Sequence, residues 1–354
     1  MLAGLNVDAL RAHRAERSKV IIDQAEKHRR IKALIIMNTR VDEVLDQLEF
    51  LMASSGGSAE QTALLLAAPT RAGKTTILKL FVALNPPIRE GRSIIRPVLF
   101  VPTPAKPLVN DLAAAMLTAL GDPDPTQGTE KERLRRIYEL VARQKIRVII
   151  FDELQHLINR ENDKVNHESG DWIKQQINDL GCAFVLAGTE RVMRLFVLND
   201  QLPGRLDDPV FEMRSFHADD PKDFEDNRGY LANWDKEIVA CGALRECSNL
   251  ANKEFATRIL LASQGWPGFE AKLIHATSKL AILNGDSRIH LHHFERVFDR
   301  LSLLMKRAGT NPFRGNIPRS TEIWLDDESF EIVLERYEEE RRSKLNLTSR
   351  SARI

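Results

Sequence analysis

Cysteine, aromatic side chains and excess charge are all scarce in this chain of 354 residues. Cys182, Cys241 and Cys247 are an odd number and show no paired metal-ligand spacing, which argues against a disulfide framework or a cysteine-rich metal site and for reduced, buried or incidental thiols. The 51 basic side chains meet 50 acidic ones, a formal net charge of +1, so any nucleic-acid binding must come from a local patch and not from the field of the whole molecule. No stretch approaches the run of about 18 apolar residues that a membrane span needs. The N-terminus carries charges where a signal peptide would need an apolar core. A cytoplasmic protein with no membrane partner is the expectation. With 43% hydrophobic and only 6% aromatic residues, the composition fits a mostly helical protein better than a secreted or fibrous one. The length allows one large domain and a smaller one, each with its own core.

What is present is a change of pattern along the chain. Residues 1–30 are charged and helix-forming, with Arg14, Arg17, Lys19, Lys27, Arg29 and Arg30 outnumbering their acids, which reads as an exposed N-terminal helix. Apolar residues then recur near helical spacing (Ile35, Val41, Val44, Leu45, Leu48, Leu51) until SSGGS at 54–58 breaks the pattern. Next, short apolar runs alternate with helical stretches. The runs are ALLLAA at 63–68, RPVLFVP at 96–102, RVIIFDE at 147–153 and CAFVLAGT at 182–189. Helices are expected through Leu84, over 108–120, over 131–143 and near 171–180. Apolar strands alternating with helices predict parallel strands buried on both faces, a doubly wound α/β core. From about Ala218 the strand signal gives way to helical periodicity, so a small all-helical domain follows.

Chemistry enters at Ala68-Pro69-Thr70-Arg71-Ala72-Gly73-Lys74-Thr75. This segment satisfies every position of a phosphate-binding loop except the first glycine, which is Ala68. The loop follows an apolar strand and opens a helix, so backbone N–H groups of residues 71–75 can point at phosphate oxygens. An alanine suffices at position 68 provided that its φ stays negative. A GKT tripeptide alone arises by chance; a second motif makes this one a site. In VIIFDEL, strand residues Val148–Phe151 deliver Asp152 and Glu153 to the carboxyl edge of the sheet, where ligands of open α/β sheets bind. Either acid alone could merely cap the next helix. The expected ligand is a nucleoside triphosphate with Mg²⁺, lined by Pro69, Thr70, Arg71, Ala72, Gly73, Lys74, Thr75, Thr76 and Asp152; the resemblance given below makes it ATP. Lys74 would reach the β- and γ-phosphates, Thr75 and Asp152 would hold Mg²⁺, and Glu153 would act as general base.

With these residues in place the chain resembles the AAA+ ATPases, and within them the TnsC/TniB family of transposition regulators, over roughly residues 30–305. The likeness also rests on FVPTPAKPLVNDLAAAMLTALGDP, on VLAGTE and on the helical region. It implies an α/β AAA+ P-loop core, a parallel sheet flanked by helices, with a small all-helical lid. The segments expected are 1–45 (N-terminal helical), 46–217 (nucleotide-binding), 218–305 (lid) and 306–354 (C-terminal extension). The resemblance places Thr189 as the sensor of γ-phosphate and water, although its hydroxyl could instead cap the helix beginning at Glu190. It places Arg205 as the arginine reaching a neighbouring subunit's nucleotide, with Arg191 and Arg194 as rivals and a solvated or salt-bridged arginine as the alternative. SQGWPGFEAKL offers only Gly268 and Phe269 where many AAA+ proteins carry a second-sensor arginine, so no residue takes that role. For double-stranded DNA it points to Thr103 and Lys106; a solvated loop lysine is the alternative.

The partners implied are further copies of the chain in a ring or helical filament, duplex DNA, a transposase of the TnsB/TniA kind and a target selector of the TniQ/TnsD kind. Two rival readings share the site. One is a helicase loader or replication initiator; the other is a nucleotide-gated scaffold that hardly hydrolyses ATP. HLHH at 290–293 reads as a helix start with Ile289, Leu291 and Phe294 facing inward rather than as a metal site. The basic stretch Arg341–Arg353 is either an inert tail or a docking element.

Overall fold

The four apolar runs become four of the five strands of one parallel sheet. The computed structural model describes residues 7–55, 63–91, 93–105, 108–157, 163–193, 211–305 and 310–319. Two compact units emerge, Thr39–Ser215 and a second formed by Met1–Asn38 with Phe216–Ile354.

After α1 (Val7–Ala33), which belongs to the second unit, the α/β unit runs α2 (Thr39–Ser54), β1 (Ala63–Ala67), α3 (Lys74–Leu84), β2 (Ile88–Glu90), β3 (Ser93–Ile95) and β4 (Val98–Pro102). It continues with α4 (Val109–Leu120), α5 (Glu130–Arg143), β5 (Val148–Asp152), α6 (Asp163–Asp179), β6 (Ala183–Gly188) and β7 (Phe211–Glu212). Short 3₁₀ turns, Leu154–Leu157 and Glu190–Val192, follow β5 and β6. The sheet order is β4-β5-β6-β1-β7, with parallel pairing throughout. Every residue of β1, β5 and β6 is buried, as strands covered on both faces must be. On one face Leu65, Leu99, Phe151 and Phe184 pack with Leu112 and Met116 of α4, Ile137 of α5 and Trp172 and Ile173 of α6. Each such side chain contributes about 1.5–3 kcal/mol when withdrawn from water.

Local chemistry sets the helix ends. Thr129 Oγ1 accepts the Glu132 amide at 3.3 Å while Glu132 Oε2 accepts the Thr129 amide at 2.7 Å, a reciprocal cap that starts α5. The antiparallel β2–β3 hairpin and the two-residue β7 were not foreseen: β2 and β3 are largely exposed and too short to carry a periodic signal. Because all five strands of the main sheet are parallel, the turns after β1, β5 and β6 gather at one edge. The chain leaves β1 towards β4 on one side and comes back past it to β7 on the other, so β1 lies where the strand order reverses.

The second unit is helical: α1, α7 (Pro221–Ala240), α8 (Lys253–Ser263), α9 (Pro267–Asn284) and α10 (Leu291–Met305). Leu231, Trp234, Ile259, Leu273, Ile274 and Phe294 form its core. The N-terminal helix, read from sequence as a segment of its own, packs here through its C-terminal end. Ile31 is fully buried, and Gln24 Nε2 donates to the Ile282 carbonyl at 3.1 Å. Residues 13–22 of the same helix are exposed. Beyond α10, Phe313 is buried beside Phe294 and Phe298, and the buried Arg258 donates to the carbonyls of Pro312 (2.6 Å) and Gly315 (2.8 Å). The basic stretch Arg341–Arg353 lies outside the described residues. No helix among the described residues is long and apolar enough to cross a membrane.

Glu270 lies fully buried in this unit, accepting from Asn227 Nδ2 at 2.9 Å and from Ser263 Oγ at 3.0 Å. Burial pushes its carboxyl from the ordinary 4.5 up to about 7, against the effect of the two hydrogen bonds. A raised carboxyl pKa in the folded state means that the folded protein binds the proton more tightly, so stability from this group is present below pH 4.5 and is lost as pH rises towards 7. His275, pulled down to about 4 by burial, works in the opposite direction on acidification. The difference in melting temperature between Glu270→Gln and the parent isolates the acid. That difference should grow in the variant's favour between pH 4.5 and about 7 and be constant above.

Candidate nucleotide site

The loop between β1 and α3 is shaped at two residues. Arg71 has φ 74° and Gly73 has φ 109°, both in the left-handed region, and Gly73 is the N-cap of α3. Ala68 is not among the residues of positive φ; its amide donates to the Gly188 carbonyl at 3.1 Å, carrying the ladder between β1 and β6 one residue further. The missing first glycine therefore removes no backbone conformation that this loop uses. The Ala72 amide donates to the Pro69 carbonyl (3.2 Å), and those of Thr76 and Ile77 to the Gly73 carbonyl (3.0 and 3.1 Å). The amides of Gly73, Lys74 and Thr75 find no backbone acceptor among the described residues, the usual condition of a helix N-terminus and a ready anion site. Pro69 is half-buried; Thr70, Arg71 and Thr76 are exposed.

Lys74 is 5% exposed, its ammonium donating to the carbonyls of Ala68 (2.6 Å) and Pro69 (3.0 Å). Burial draws its pKa below the ordinary lysine value, and the carboxylates of Glu153, Asp152 and Glu190 oppose that shift. Across the sheet edge, Thr75 Oγ1 donates to Asp152 Oδ2 at 2.7 Å and the Glu153 amide donates to Asp152 Oδ1 at 2.9 Å. Asp152 is 2% exposed, and burial pushes its carboxyl up, against the effect of those two hydrogen bonds. Helix-start amides with no backbone acceptor among the described residues, a hydroxyl and a buried carboxylate form a set of groups that suits a phosphate chain with a hard divalent cation such as Mg²⁺.

Glu153 turns off the strand at φ 59° and accepts a hydrogen bond from Gln155 Nε2. Gln155 Oε1 in turn accepts the Thr189 amide at 3.1 Å. Gln155 was not foreseen: no spacing marks it, and its contact partner is 34 residues away. Thr189 occupies the N-cap position of the 3₁₀ turn at Glu190, but its side chain makes no capping bond, and its buried hydroxyl has no partner among the described residues.

Other expectations fare differently. Thr103 lies beside Asp152, its amide donating to the Asp152 carbonyl at 3.0 Å. At 6% exposure, with its hydroxyl shielded from solvent, it is not available to a duplex as placed, because β4 carries it in beside β5. Lys106, Arg194 and Arg205 lie outside the described residues, and Arg191 is exposed. At the start of α9, Phe269 and Glu270 both point into the helical unit's own core, and neither is a cation. Asp286, His292 and His293 come within 4.8 Å of one another. His293 Nδ1, however, accepts the His290 amide at 3.0 Å, which leaves the ring proton on Nε2, facing Asp286 Oδ2 at 2.9 Å. This ring caps α10 and is not disposed as a ligand.

A family profile described as bacterial TniB protein matches residues 28–214. The chain belongs to the TniB family. Its fold is that of the AAA+ ATPases. Among solved structures it is similar to the Aeropyrum pernix ORC1 protein in complex with DNA (14% identity, TM-score 0.52, covering 75% of this chain and 66% of that one). It is also similar to Cdc6p from Pyrobaculum aerophilum (12%, 0.51, 77% and 70%) and to the Aeropyrum pernix ORC2 protein in its ADPNP–ADP complexes (12%, 0.52, 77% and 72%). At such identities the likeness concerns the fold alone, and the TniB chain spans just under two thirds of the ORC1 protein's length. No curated protein matches.

Removing the Thr75 hydroxyl takes away the only side-chain donor to Asp152 among the described residues. Thr75→Ala should lower the stability of the nucleotide-free protein by about 1–3 kcal/mol in urea denaturation. Thr76→Ala, at an exposed hydroxyl, should stay within about 0.5 kcal/mol.

Proposed function

We propose that this TniB-family chain is a Mg²⁺-dependent ATPase whose ATP-bound subunits assemble on double-stranded DNA and link target selection to a transposase. The observation that carries the reading is the meeting of Thr75 with Asp152 at 2.7 Å beside a helix start whose amides have no backbone acceptor among the described residues. The amides of Gly73, Lys74 and Thr75 would receive the phosphates of ATP, with Arg71, Ala72 and the exposed Thr70 and Thr76 at its borders. The Lys74 ammonium would exchange its carbonyl partners for β- and γ-phosphate oxygens. Thr75 and Asp152 would hold Mg²⁺, which when bound neutralises charge developing on the transferred phosphoryl group.

Glu153 would take the proton of the attacking water, a contribution of about 10²–10⁴ in rate. The Thr189 hydroxyl, without a partner among the described residues, supports its role as the sensor of water and γ-phosphate over that of a cap. Arg205 of a neighbouring subunit would complete the site, a term worth about 10³–10⁵ in turnover, so isolated subunits hydrolyse slowly. Lys106, after β4, would touch the DNA backbone, a contact indifferent to sequence and weakened by salt. Thr103, being buried, is not part of this surface. The fold is compatible with DNA binding, since the Aeropyrum pernix ORC1 protein was solved in complex with DNA. ATP then acts as a timer: binding builds a ring or filament that a transposase and a target selector can read, and hydrolysis takes it down.

Electron microscopy with duplex DNA and a non-hydrolysable ATP analogue tests the reading. Rings or filaments should form with the parent protein and be absent with Lys74→Ala. Absence of assembly in the parent, or assembly that Lys74→Ala leaves intact, would reject it.

A further inference from the structure

The strand that delivers Asp152 ends in a left-handed residue, Glu153, and the chain then tightens into the 3₁₀ turn Leu154–Leu157, anchored by the buried Leu154 and Leu157. Gln155 therefore starts from a fixed backbone. Its amide has two unlike ends, and the contacts decide which is which. The Thr189 N–H can only donate, so the oxygen faces it, at 3.1 Å, and the NH₂ end faces Glu153 Oε2. A glycine makes this reach possible. A Cβ on Gly188 would stand 2.7 Å from Gln155 Oε1 and 2.3 Å from Val192 Cγ2.

Resting on the ATPase reading above, we propose that Gln155 is a positioning residue: it holds the Glu153 carboxylate in register with the main chain at Thr189, so that the general base and the residue sensing γ-phosphate keep a fixed spacing. A glutamate on a free side chain samples several rotamers, and misplacement of a catalytic group by an ångström is enough to lose about 10²-fold in rate.

Two substitutions separate positioning from mere space-filling. Gln155→Met keeps the length and bulk of the side chain and removes both hydrogen bonds. Gln155→Glu is isosteric, keeps an acceptor for the Thr189 amide and sets a second carboxylate against Glu153. In steady-state ATP hydrolysis, Gln155→Met should lower kcat by roughly 10- to 100-fold. KM and the affinity for a fluorescent ATP analogue should stay within about twofold. Gln155→Glu should lose at least as much, and on a Glu153→Gln background Gln155→Met should add no further loss. A Gln155→Met enzyme with parental kcat, or one whose defect is confined to KM, would overturn the inference, as would a Gln155→Glu enzyme equal to the parent. Should Gln155→Met lose its cooperative melting transition, Gln155→Glu carries the test. The parent and Glu153→Gln distinguish the two levels: a parent protein that releases no phosphate from ATP ends the ATPase reading and this inference with it, and a Glu153→Gln enzyme as fast as an active parent removes the general base that Gln155 is held to position. If Glu153→Gln is inactive, the kcat of the Gln155 variants decides the positioning role alone.

Discussion

A carboxylate at the end of a fully buried strand is the constraint on which the chemistry of the α/β unit depends. Asp152 sits at 2% exposure, and burial alone would drive it to hold its proton. What keeps a charged form accessible is close by: the Thr75 hydroxyl, the Glu153 amide and, through the field, the Lys74 ammonium. These partners come from two segments 77 positions apart, and only the parallel sheet brings them together. The apolar strands hold the donors and acceptors of the site in place.

The same logic explains why an alanine at position 68 is tolerated. A glycine is indispensable where φ is positive or where a side chain would collide. In this loop the positive angles fall at Arg71 and Gly73, and the close approach falls at Gly188 on the neighbouring strand. Ala68 meets neither condition: it continues a strand and donates its amide to Gly188. The departure from the phosphate-loop pattern lies at a position whose conformational demand this backbone has already met.

Much of the architecture was legible because strands buried on both faces must be apolar throughout, so β1, β4, β5 and β6 stand out as runs. Lys74, Thr75 and Asp152 were legible because a strand, a tight loop and a helix start impose a spacing. The rest depends on contacts that no local pattern records. β7 is two residues long and β2 and β3 three each, too few to show alternation. The association of α1 with the helical unit hangs on Ile31 and on Gln24 reaching Ile282, a contact 258 residues distant. The burial of Thr103 follows from its pairing beside Asp152, which a proline-rich loop sequence disguises. Gln155 matters through the Thr189 amide, and an isolated polar residue after an acidic pair carries no such message.

Two buried acids with raised pKa values show why a shifted group alone does not identify a site. Glu270 and Asp152 are both pushed up by burial and both accept hydrogen bonds from hydroxyl and amide groups. Glu270, however, is enclosed by Asn227 and Ser263 within the core of the helical unit, with no cationic side chain among the causes of its shift. Its perturbation is a matter of stability. Asp152 ends a strand at the open edge of the sheet, beside a helix N-terminus and within the field of a buried lysine. An acid in that company can exchange a proton for a metal ion, because the neighbouring hydroxyl and amides remain to bind what the ion brings with it. What separates the candidate site from a purely structural acid is the direction in which the surrounding donors face: inward and satisfied around Glu270, and beside Asp152 at a helix start whose amides find no backbone acceptor among the described residues.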